Sequence, residues 1–156
     1  MADEEWAGGW LSEREASLYR TMQPGDRSHA VGVAKAVSRA VDERPALRAD
    51  RDWMMAAALL HDVGKGEADL GVPGRVVATL GAWLGGDDLA HRWSRASGMR
   101  HQVGLYMRYP DLGAELLAAA GSDARVVAWA REHHNEESDW TVQVATGRVL
   151  KAADDG

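Results

Sequence analysis

His61 and Asp62 end the most apolar stretch of the chain, Trp53-Met54-Met55-Ala56-Ala57-Ala58-Leu59-Leu60, and Val63-Gly64-Lys65 follows. Burying an unpaired charge is costly, so an ionisable pair closing an all-apolar helix needs a partner. A divalent metal would serve: His supplies a neutral nitrogen and Asp an anionic oxygen, and neighbours at a helix end can reach one ion as the backbone turns. Gly64 frees that turn, leaving Lys65 able to reach an anion. The other reading is an imidazole favoured by its own helix dipole beside a solvated carboxylate. His29 shares a face with Val33 and Val37, as a ligand or as a satisfied core histidine. Asp154, late on an apolar helical face, is a ligand or a frayed terminus. His133 and His134 are consecutive, and consecutive helical residues diverge by about 100°. Both face one pocket only if the helix ends there; otherwise they are surface imidazoles at a helix C-terminus.

Composition removes several alternatives. There is no cysteine, which excludes disulfides, thiolate zinc clusters and a Cys nucleophile. A net charge of −6 with a pI near 5.5 weighs against a broad duplex-nucleic-acid face, which needs clustered Lys and Arg. It leaves open a small phosphate ester in a locally basic pocket. Gly64-Lys65-Gly66 lacks the upstream Gly and following Ser or Thr of a phosphate-binding P-loop. The acidic start, Asp3-Glu4-Glu5, has no apolar run and is not expected to be a signal peptide. No window reaches the roughly eighteen apolar residues of a membrane span, so a cytoplasmic protein is expected.

Helices must position these residues, because no sustained period-two alternation marks a strand. Ser12 caps a first helix over 13–22, stopped by Pro24-Gly25. Asp26 or Ser28 opens a second helix to Glu43, and 45–51 is expected as a loop. The Trp53–Leu60 run reads as a helix buried on most sides. A Gly-rich loop to Pro73-Gly74, a short helix to Leu84 and another capped by Asp87 or Asp88, interrupted at Gly98, follow. Pro110 opens a helix over 111–120 that Gly121 stops. Ser122 or Asp123 caps 124–133, and the last helix starts near Thr141. His91 and His101 fit no ligand spacing, and Asp69 reads as loop.

Three segments in this order, Arg27-Ser28-His29-Ala30, Leu60-His61-Asp62-Val63-Gly64-Lys65 and Leu150-Lys151-Ala152-Ala153-Asp154, resemble the HD superfamily of metal-dependent phosphohydrolases. The resemblance covers 25–155. It implies an all-α, single-domain helical bundle of the HD type over 25–156, with an N-terminal helical extension at 1–24. It also implies that His29, His61, Asp62 and Asp154 hold a divalent transition metal (Mn, Fe, Co, Ni or Zn), leaving positions open for water and substrate. The expected reaction is hydrolysis of a phosphate mono- or diester, nucleotide-like or a cyclic nucleotide, by metal-activated water. Asp62 orients the water, Lys65 bears phosphoryl charge, and Glu67, His133 or His134 protonates the leaving group. Arg27, Tyr109 and Arg148 are candidates for the substrate side. The partner is then a small phosphorylated substrate, with no membrane and no stable duplex nucleic acid.

Tyr109-Pro110-Asp111-Leu112-Gly113 and His133-His134-Asn135 are similar to the His-Pro-x-x-Gly and His-His-Glu of the subset that carries a second metal. Tyr109 replaces the expected His, and a phenol with an ordinary pKa near 10 is a poor ligand at neutral pH. One ion is therefore the favoured reading, with a second possible through His133 and His134. Two alternatives stay open. One is a di-iron oxygenase, which the missing His disfavours; the other is a non-catalytic ligand-binding domain, which the complete quartet disfavours.

Overall fold

The computed structural model describes residues 2–65 and 109–156, with Tyr109 by its backbone alone. The expected helices between Gly74 and Gly98, with Glu67, Asp69, Trp83, His91, Trp93, His101 and the Tyr109 side chain, lie outside the described residues. The protein is all-α, and the described residues contain no strand. In order they form α1 (Ala2–Gly8), α2 (Glu13–Thr21), α3 (Pro24–Glu43), a 3-10 helix (Pro45–Asp50) and α4 (Arg51–Leu60). Then come α5 (Tyr109–Ala120), α6 (Ala124–Glu132), a second 3-10 helix (Glu137–Asp139) and α7 (Val144–Asp154).

α4 is the centre, packed against α3, α6 and α7. Every residue from Trp53 to Leu60 is buried, so the all-round apolarity of this segment has its cause in neighbours on several sides. Val33, Val37 and Val41 of α3 recur every four residues and are buried in the same core. Leu116, Leu117, Val126, Trp129 and Leu150 bring α5, α6 and α7 into it.

The ends of the helices explain their limits. Ser12 makes a capping box: its hydroxyl accepts from Glu15 N at 3.3 Å, while its own N–H donates to Glu15 Oε2 at 2.9 Å. Gly121 takes φ +81°, and a Schellman pair runs from Gly121 N to Ala118 O (3.1 Å) and from Ser122 N to Leu117 O (3.0 Å). Asp123 caps α6 through Arg125 N at 2.8 Å. Four expectations are corrected. α3 begins at Pro24 rather than at Asp26 or Ser28, because proline suits the first helical position and holds Gln23 extended. The segment after Arg44 is 3-10 helix rather than loop, α7 begins at Val144 rather than near Thr141, and α1 precedes the first expected helix. Its Asp3 and Glu4 are paired with Lys35 and Arg27 of α3.

Candidate metal centre

His61 is the C-cap of α4, where the chain leaves the helix through tight turns, Val63 N to Leu60 O at 3.0 Å and Lys65 N to Asp62 O at 2.9 Å. These turns keep both His61 and Asp62 inside; they are 2% and 3% exposed. His61 Nδ1 lies 3.0 Å from the carbonyl of Ala58. A carbonyl only accepts, so Nδ1 carries a hydrogen, and Nε2 is the nitrogen that a proton or an ion can occupy. His61 Nε2 stands 3.2 Å from Asp154 Oδ1 and 3.4 Å from Asp62 Oδ2, and His29 Nε2 is 3.0 Å from Asp154 Oδ1. Asp154 arrives from the last turn of α7 and His29 from the second turn of α3. α4, α3 and α7 therefore each contribute to one point.

The chemistry of these atoms fits a cation. His61 Nε2 and Asp62 Oδ1 are buried without a well-formed hydrogen bond, meeting charged neighbours only at 3.2–3.7 Å, a shortfall that a metal would remove. Ligands bound at about 2.0–2.2 Å around one ion stand about 3.0–3.5 Å apart, which is the range of the three separations above. The same carboxylate faces a second group of donors. Asp62, His133 and His134 offer ligand atoms all within 4.8 Å of one another, as do His29, His61 and Asp154. His133 Nε2 is 3.7 Å from Asp62 Oδ1, its Nδ1 donating to the carbonyls of Trp129 and Ala130 at 3.2 and 3.1 Å. The His133 ring lies 5.2 Å from that of His61 and 4.0 Å from that of His134.

Charge is balanced locally. Burial pulls the His61 imidazole down, but Asp154 and Asp62 outweigh it and raise its pKa to about 9. Burial pushes the Asp62 carboxyl up, and His133, His61 and Lys65 more than reverse this, holding it well below the usual carboxylate range. Asp154 is held low chiefly by His61, against burial, with help from His29. His134 is lowered by burial and then by the charge of His133.

The remaining expected residues divide. Lys65 Nζ lies 2.5 Å from Asp62 Oδ2, at the edge of the cluster. Arg27 is turned elsewhere: it donates to the carbonyls of Arg20 (3.3 Å) and Met22 (2.6 Å) and pairs with Glu4 at 3.4 Å. Arg148 is bound by two 2.7 Å contacts to Glu137. Helical angle explains both. Arg27 is about 200° around the axis from His29, and Arg148 about 240° from Asp154, so neither faces the cluster. Lys151, three residues before Asp154 and on its side of α7, was the residue to consider. It pairs with Asp155 at 3.0 Å, and its charge is felt at His134.

A family profile described as HD domain matches residues 27–155. The span includes every one of the clustered His and Asp residues. No curated protein and no solved structure matches significantly.

Proposed function

Because the chain belongs to the HD-domain family, we propose that it hydrolyses phosphate mono- or diesters, nucleotide-like or cyclic nucleotides, with His29, His61, Asp62 and Asp154 holding a divalent transition ion. The observation that carries this reading is the convergence of the buried His61 Nε2 and Asp62 Oδ1, neither in a well-formed hydrogen bond, with the His29–Asp154 contact. Mixed nitrogen and oxygen donors suit Mn, Fe, Co, Ni or Zn. Bound there, such an ion supplies Lewis acidity and a water of lowered pKa.

The chain's own residues then divide the work. Asp62, buried and anionic, accepts a hydrogen bond from the attacking water and orients it. Lys65 sits against Asp62 and bears the charge that develops on the phosphoryl oxygens. His134, with its lowered pKa, is neutral at neutral pH and suits accepting a proton or ligating better than storing a proton to donate. Glu67 remains the alternative donor to the leaving group, and Tyr109 a hydrogen-bond donor to the phosphoryl group. Metal analysis of the purified chain tests the proposal, coupled to a panel of phosphomonoesters and phosphodiesters with each ion restored. Binding of an ion with ester cleavage at none of the panel would leave a ligand-binding domain; failure to bind any ion would remove the site.

A second reading has one specific support. The Asp62–His133–His134 group makes Asp62 a carboxylate between two donor sets, which favours a second ion even without a His at position 109. Two equivalents of iron in the purified chain would move the assignment toward oxygen chemistry.

A further inference from the structure

α6 stops at Glu132, yet residues 133–143 contain neither glycine nor proline. Of the usual local signals only the basic Arg131 and His133 and the following Asn135 are present, and Asn135 does not take the left-handed conformation that closes a helix end. A carboxylate in the last turn is also disfavoured by the helix dipole, and Glu132 is only 6% exposed, so its charge needs compensation. That compensation comes from nine and ten residues further on. Glu132 Oε1 accepts from Thr141 N at 2.9 Å and from Val142 N at 3.0 Å, and Oε2 accepts from Thr141 Oγ1 at 2.9 Å. Such charge-assisted bonds are the strong kind. The chain is thereby folded back on the end of α6. Trp140 seals the return: its indole N–H donates to the Asn135 carbonyl at 3.1 Å, and its ring meets Trp129 edge-on at 5.3 Å.

The fold-back has a consequence for the two imidazoles next in sequence. His133 becomes the C-cap at φ −61°, ψ −17°. His134, one residue beyond, lies with its ring 4.0 Å from that of His133 and within the Asp62 group. Had α6 continued, the two side chains would diverge by about 100°. We infer that Glu132 is a positioning residue, whose carboxylate ties the Thr141–Val142 backbone to the end of α6 and so holds the His133–His134 pair against Asp62. Its three hydrogen bonds all go to Thr141 and Val142, so it acts through the pair and not on substrate. The inference concerns placement and stands apart from the ester-hydrolysis reading.

The test uses the full chain, isotopically labelled, with the imidazole resonances read by NMR and thermal melts as the check of folding. In E132A the His134 ring resonances should move toward those of an unstructured peptide and its ring contact with His133 should be lost, while the His29–His61 contact persists. E132Q should keep the native spectrum, because its carbonyl oxygen still accepts both backbone N–H groups and its amide can donate to the Thr141 hydroxyl. If E132A does not fold, T141V decides: losing one of the three bonds should displace the same His134 resonances by a smaller amount. The inference is overturned by a folded E132A with unmoved His134 resonances, by an E132Q that behaves as E132A does, or by a T141V spectrum identical to wild type. Equal loss of the His29–His61 contact in folded E132A would also overturn it, since Glu132 would then be stabilising the bundle generally.

Discussion

His61 carries a proton that an incoming ion must displace, and this makes both stability and ion affinity depend on pH in a defined direction. Its pKa stands at about 9 in the folded, ion-free chain against an ordinary 6.5 in the unfolded chain. A raised pKa contributes stability that is complete below the unfolded value and is lost as pH rises through the folded one. The gap is worth about 3 kcal/mol at 1.36 kcal/mol per pH unit. The same attraction holds Asp154 low, so it is one interaction and counts once. For a chain of this size about 3 kcal/mol corresponds to a fall in Tm of roughly 6–12 °C. The assay is calorimetric melting of chelator-treated protein from about pH 6 to about pH 10, beside His61→Gln, which should lack this component. Adding an ion at about pH 7.5 should release close to one proton per ion bound, read by titration calorimetry in two buffers of different ionisation enthalpy. A wild-type Tm that does not fall, or a fall equally large in His61→Gln, would refute the electrostatic account of the cluster.

Three further outcomes follow from particular contacts. Asp62→Ala should lose both ion affinity and turnover, whereas Lys65→Ala should keep the ion and lose turnover by about 10²–10³; elemental analysis beside ester hydrolysis separates them, and equal loss of ion would mean that Lys65 serves Asp62 alone. Gly147→Ala places a Cβ 2.7 and 2.9 Å from two ring carbons of Trp140, so overpacking should cost about 1–3 kcal/mol, seen as a Tm lowered by roughly 2–12 °C. Ser12→Ala breaks the capping box and should cost about 1 kcal/mol in denaturant melts, with ion content unchanged.

Some of this protein was legible in residue order alone, because the physics was local. The run from Trp53 to Leu60 reads as a helix with neighbours on most sides, and α4 is that helix. Ser12 with Glu15, and Gly121 after α5, mark helix ends through bonds that span three to five residues. The pairing of His61 with Asp62 at the end of that buried helix called for a partner, but the metal reading came only with His29, Asp154 and the family resemblance beside it. What the chain order left open was set by contacts far apart in sequence. His29 and Asp154 meet across 125 residues, and taken alone His29 reads as a core histidine and Asp154 as a frayed end. Arg27 and Arg148 are neighbours of cluster residues in sequence but not in space, because two or six steps around a helix point a side chain away. The end of α6 near 133 was legible, but the return of the chain onto it was not, because Glu132 meets Thr141 and Val142 nine and ten residues further on. Backbone geometry within one turn is fixed by near neighbours, whereas the convergence of imidazoles and carboxylates depends on how α3, α4, α6 and α7 pack, and only the tertiary structure decides that.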